Sequence, residues 1–230
     1  MPLDASTLLA VGIFVRLASA GVALLAWYHN REVVCLLGWS LAMLLSALAM
    51  IVGSLRGTGN ALEVTLMANL LFVTGYALMW TSMRRFNDDR VTPFGQLIGV
   101  AATAGVFVAL FALLWWFGAP RRALSALFTL FIAGLTLAAA WETWRGYAYD
   151  GLRSRHIAGA ALACIAATRL IRLALTGLQM SGAVSTTTSE VVQSFTLYFN
   201  IVFLLVATFG LVLMAQEWVD SRLARAKLGA

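Results

Sequence analysis

Residues 94–117 read FGQLIGVAATAGVFVALFALLWWF, 24 positions without one charged side chain. At 1.5 Å per residue this run makes a helix of about 36 Å, enough to cross a hydrocarbon core of about 30 Å. Pro93 precedes it and Gly118-Ala119-Pro120 follow it, so breakers bound the run on both sides. Outward from this stretch, six further apolar runs appear: Thr7 to Tyr28, Val33 to Leu55, Ala61 to Met83, Leu124 to Trp144, His156 to Met180 and Val191 to Trp218. Each is long enough to span. The separators are short and polar, and all three prolines, Pro2, Pro93 and Pro120, fall outside the runs, so unbroken helices are expected.

Composition agrees. Of 230 residues, 61% are hydrophobic and 11% charged, with a mean hydropathy of +0.87. A soluble domain carries about 25% charged residues, so that class is excluded. The expected fold is all-α, a polytopic seven-transmembrane bundle over residues 1–218 with a short helical tail over 219–230, leaving no room for a separate soluble domain. No repeat is visible. The first basic residue, Arg16, lies inside the first run, so a cleaved signal peptide is not expected and the N-terminus is read as a span.

The net charge of +6 suits a nucleic-acid binder, but basic residues in a membrane protein mark loops, and no nucleic-acid partner is expected. With seven spans, ten basic residues fall on one side: Arg31, Arg84, Arg85, Arg90, Arg145, Arg153, Arg155, Arg222, Arg225 and Lys227. Three, Arg56, Arg121 and Arg122, fall on the other. The positive-inside rule then puts the N-terminus outside and the C-terminus in the cytoplasm, in the cell inner membrane. Trp27, Trp80, Trp141, Trp144 and Trp218 end spans on the basic side and Trp115-Trp116 mark the other, as an aromatic belt does.

Three arginines are left within the runs: Arg16, Arg169 and Arg172. An ionised side chain at mid-membrane costs about 2.5–3.5 kcal/mol on insertion scales, so each should face the bundle interior. Arg169, Arg172, Thr176 and Gln179 share one helical face, as do Gln193, Thr196 and Asn200; the third run offers Glu63 at its rim, Asn69 deeper and Tyr76 seven residues on. Facing one another, these stripes form a polar cavity in the outer half. Its expected ligand-binding set is Arg16, Glu63, Asn69, Arg169, Arg172, Gln193, Thr196 and Asn200. Excess positive charge favours a small or amphiphilic anion, a carboxylate or a phosphate headgroup. The competing reading has these arginines capping carbonyls, pairing with Glu63 and fixing helix packing. Gly95 and Gly99 form a GxxxG at the start of the fourth run, either a homodimer seam or a close contact within one bundle. Glu142 and Arg145 read as an interfacial ion pair.

Several chemistries lack their residues. The only lysine is Lys227, so no span offers a Schiff base. His29 and His156 sit at span ends, which argues against haem and intramembrane proteolysis. Cys35 and Cys164 lie in apolar runs and read as small packed side chains. No HExxH, P-loop or dinucleotide turn is present. No enzyme activity, metal or cofactor is expected.

The segment Ala68-Asn69-Leu70-Leu71-Phe72-Val73-Thr74-Gly75-Tyr76-Ala77-Leu78-Met79-Trp80 followed by Arg84-Arg85-Phe86 resembles the multi-span sensory region at the N-terminus of many bacterial GGDEF diguanylate cyclases. The stretch from Trp27-Tyr28 to Arg56, and Leu211 to Glu217 leading into Arg222-Leu223, are similar to the same family. The resemblance implies a sensor whose last span drives a cytoplasmic output. The sequence holds no GGDEF motif, so no cyclase activity, GTP site or metal site carries over; the chain is either part of a longer receptor or a free-standing bundle with a separate partner. The expected function is sensing of an anionic ligand, with a small anion transporter or permease and an accessory membrane subunit as alternatives. A permease needs polarity that continues to the cytoplasm, whereas Ala161, Cys164 and Leu205 suggest a closed floor.

Overall fold

A computed structural model of the chain describes residues 5–55, 61–88, 90–180 and 186–228, with the side chains of 5, 61, 149, 180, 186–194 and 226–228 outside the description. Its described residues form seven helices: α1 (Ala5–His29), α2 (Val34–Ser54), α3 (Ala61–Asn87), α4 (Pro93–Trp116), α5 (Arg121–Asp150), α6 (Ser154–Met180) and α7 (Thr186–Leu228). All seven contain a stretch long and apolar enough to span a membrane. The seven-span, all-α expectation therefore holds. The helices outrun the apolar runs at several ends, most at α7, which continues ten residues beyond Trp218 to Leu228.

Local chemistry sets the boundaries. Thr92 caps α4, its hydroxyl accepting from the Gly95 N–H at 3.0 Å, and Pro93 occupies the first turn, where a missing N–H costs nothing. Pro120 stands one place earlier relative to its helix, as the extended cap residue before α5. Gly151 ends α5 with φ +69°, a left-handed turn that delivers the chain straight into α6.

Packing runs α1–α2–α3–α5–α6–α7 and back to α1, with α4 against the outside of α3 and α5. Six helices thus enclose a common interior and α4 is peripheral, burying little beyond Gln96, Val100, Phe107 and Phe111. Lipid is as apolar as a leucine side chain, so close packing and hydrogen bonds, more than water exclusion, must hold such a bundle. Small residues provide the contact. Gly210 lies against the Ala158 backbone, Gly38 against Ser82, and Gly75 against the Ala42 carbonyl. Thr81, Thr136, Thr143 and Thr208 each donate to a carbonyl one turn back, which satisfies their hydroxyls inside the apolar layer.

Candidate functional site

The interior is layered. The lowest layer lies at the rim formed by Asn87, Asp150, Ser154 and Glu217, called the basic rim below. Arg155, 2% exposed, donates through Nε to both Asp150 oxygens at 3.0 Å, and through Nη1 to Asn87 Oδ1 at 2.9 Å and the Thr143 carbonyl at 3.3 Å. Its guanidinium also covers the Phe86 ring. Asn87 in turn donates to the Glu142 carbonyl at 2.6 Å, and Glu142 pairs with Arg145 at 3.8 Å as the sequence suggests. The Ser154 N–H donates to Glu217 at 3.0 Å, and its hydroxyl donates to the same carboxylate oxygen. This knot joins α3, α5, α6 and α7.

Above it the interior is apolar and closed. Trp39 Nε1 donates to Thr208 Oγ1 at 3.1 Å, linking α2 to α7. Leu36, Met43, Met79, Ile165, Leu204 and Leu211 are all below 2% exposure around that bond. Of the expected floor residues, Ala161 is buried, while Cys164 and Leu205 are only half-buried. Cys35 is buried and both cysteines are free thiols.

The third layer holds the arginines. At about 1.5 Å per residue from Asn87 on α3, His29 at the end of α1, Ser154 on α6 and Glu217 on α7, Tyr76 lies about 16 Å up, Arg16 about 20 Å, Arg169 about 22 Å and Asn200 about 25 Å. Arg16 is 4% exposed and Arg169 8%. Arg16 donates through Nη1 to the Gly12 carbonyl at 3.0 Å, covers the Phe72 ring, and interacts electrostatically with Tyr76 and with Arg169. Asn200 is buried about one turn higher than Arg16 on α7, the helix that packs against both α1 and α6. Five buried polar atoms lack a partner among the described residues, and four belong to these residues: Arg16 Nε, Arg169 Nε, and both amide atoms of Asn200. The fifth, Ser19 Oγ, lies one turn from Arg16 on α1.

Buried polar groups are nearly always bonded, and a buried cation is costly without a counter-charge. Among the described residues the buried carboxylate is Glu142, far below at the basic rim. The layer thus holds two guanidinium Nε–H groups and an amide whose buried atoms meet no partner among the described residues. Guanidinium N–H groups of this kind have the chemistry to meet an oxyanion.

The other expected site residues are distributed differently. Asn69 and Thr196 are buried, Asn69 two turns above Tyr76 and Thr196 one turn above Asn200. Arg172 is half-buried and Glu63 is exposed at the start of α3, and both have partners of their own. Gln193 lies outside the described side chains. Gly99 sits against Thr81 of α3, so this half of the GxxxG serves a contact inside the bundle, while Gly95 meets only its own capping Thr92.

No family model, no curated protein and no solved structure matches this chain. Function has to be argued from the layered interior alone. Its lowest layer went unseen in the sequence, where Arg155 counts as one more loop arginine. The available signal was Asp150 five residues before it, with Gly151 between them to reverse the chain.

Proposed function

We propose that this chain is a membrane sensory module. It detects a small or amphiphilic anion in the outer half of the bundle and signals through α7 to a cytoplasmic output. The observation that carries this reading is the pair Arg16 and Arg169, within electrostatic reach of each other and with buried Nε atoms that have no partner among the described residues, together with the buried Asn200 about one turn higher. Asn69 and Thr196 are buried farther toward the same end of the bundle on α3 and α7. The packed layer around Trp39 and Thr208 supports sensing over permeation, because an anion leaving the arginine layer downward meets tightly packed apolar side chains and hydroxyls already bonded to backbone carbonyls before the basic rim. The resemblance to cyclase-linked sensory regions supports the same direction of signalling, and the arginine asymmetry supports a cytoplasmic tail at the inner membrane. Pairing of two copies through α4 belongs to this reading only on the Gly95 side.

A ligand moves the bundle only if it binds one arrangement better than another. The test is a distance measurement between spin labels at Ser221→Cys and Asn30→Cys, in a chain with Cys35→Ala and Cys164→Ser, reconstituted in bilayers. Acetate, decanoate and inorganic phosphate serve as probes. At least one should shift the distance distribution, and Arg169→Gln should abolish the shift. No shift with any probe, or an unchanged shift in the double variant R16Q/R169Q, sinks the reading; uptake of the probe into vesicles would favour a permease instead.

A further inference from the structure

The rim where α7 leaves the bundle holds an open groove of about 440 Å³ between the α1–α2 turn, the end of α3, the first turn of α4 and α7. Glu32, Arg85, Phe86, Thr92, Trp218 and Arg222 form much of its wall. It is separate from the arginine layer and belongs to no step of the reading above.

Arg85 is half-buried, and its Nη1 donates to Gln96 Oε1 at 3.3 Å. Gln96 is itself fixed, donating to Ser82 Oγ at 2.7 Å. A neutral amide orients Arg85, and no carboxylate among the described residues pairs with it. Arg222 lies over the Trp218 ring, 4.2 Å from its centroid, and pairs with Glu32 at 2.6 Å. Both side chains of that pair are well exposed, at 60% and 69%, and an ion pair so open to water is held weakly. The groove therefore presents two guanidinium groups against one loosely held carboxylate. Trp218 closes the apolar run of α7, the depth at which tryptophan meets lipid headgroups.

We infer that this groove binds the phosphate oxyanion of a phosphate ester, supplied by an anionic phospholipid headgroup. Guanidinium forks match phosphate oxygens in pairs, and Trp218 gives the adjoining glycerol region an apolar wall. The groove lies on the side that carries most of the basic residues, which the positive-inside rule assigns to the anionic cytoplasmic leaflet. An arriving phosphate takes the place of Glu32 on Arg222. The carboxylate is thus a competitor of the lipid, and its removal should strengthen binding.

The full chain in neutral detergent is titrated with phosphatidylglycerol, phosphatidylcholine and diacylglycerol, and bound lipid is counted by native mass spectrometry. Phosphatidylglycerol should be retained best, and the double variant R85Q/R222Q should weaken it by about tenfold or more. Glu32→Gln keeps both arginines and should bind phosphatidylglycerol more tightly than the parent, which tests the groove even if the double variant does not fold. Equal retention of phosphatidylglycerol and diacylglycerol overturns the proposal. So does weaker binding in Glu32→Gln, or an equal loss in R121Q/R122Q at the opposite rim. Retention that persists in millimolar inorganic phosphate supports the lipid source, whereas displacement overturns it in favour of a soluble phosphate.

Discussion

Arg16 on α1 and Arg169 on α6 lie within electrostatic reach of each other in the bundle interior, and each keeps a buried Nε–H for which no described residue provides an acceptor. Two like charges in an apolar layer oppose folding unless something anionic joins them. In anion-free detergent, Arg169→Gln should therefore raise stability by about 1 kcal/mol, since it removes one uncompensated charge. Thermal unfolding followed by tryptophan fluorescence checks this. A clear loss of stability would show that Arg169 is already neutralised within the fold.

The Trp39–Thr208 bond closes the floor beneath that layer. Thr208→Val keeps the shape but leaves Trp39 Nε1 a buried donor without an acceptor. The expected cost is about 1–3 kcal/mol in denaturant unfolding in micelles. Trp39→Phe in the Thr208→Val background should then add less than it does in the parent, because the two residues share one interaction.

Arg155 is the centre of the knot at the basic rim. Asp150→Asn strands a guanidinium that is 2% exposed, so a loss of about 3–5 kcal/mol is expected. Arg155→Lys should fare almost as badly, because a point charge cannot reach Asp150, Asn87 and the Thr143 carbonyl together. Recovery of parental stability by Arg155→Lys would show that charge alone matters there.

Two glycines give a matched pair. A Cβ on Gly210 would lie 2.8 Å from the Ala158 nitrogen and 3.0 Å from its Cα, backbone that cannot swing aside. Gly210→Ala should cost about 1–3 kcal/mol by forcing α6 and α7 apart. Gly134, in the middle of α5, has nothing within 4 Å of that position, so Gly134→Ala should be neutral or stabilising by up to about 1 kcal/mol. Unfolding of the two variants under one condition separates packing from helix propensity.

The spans were legible because hydrophobic run length and breaker residues are local properties, and α4 begins and ends within one residue of its apolar run. Arg16, Arg169, Asn69 and Asn200 were legible because a polar residue deep in such a run has only the interior to face. What the sequence could not reveal depends on where helices meet. Glu63 belongs to the same run as Asn69 but starts its helix, at the rim, and is exposed. Arg155 looks like a loop cation until the turn at Gly151 folds it back onto Asp150. Gly99 fits a dimer seam by spacing alone, and only the position of α3 shows that Thr81 already fills it.

Helix α7 runs 43 residues, about 64 Å, and is tied at Glu217 to the start of α6. About 25 Å of it stands above that tie as far as Asn200, and about 16 Å below as far as Leu228. With the Trp39–Thr208 bond above that tie and the Arg222–Glu32 pair below it, α7 is held at three heights. A tilt about Glu217 that moved Asn200 sideways would carry the lower end the opposite way by about two thirds as far.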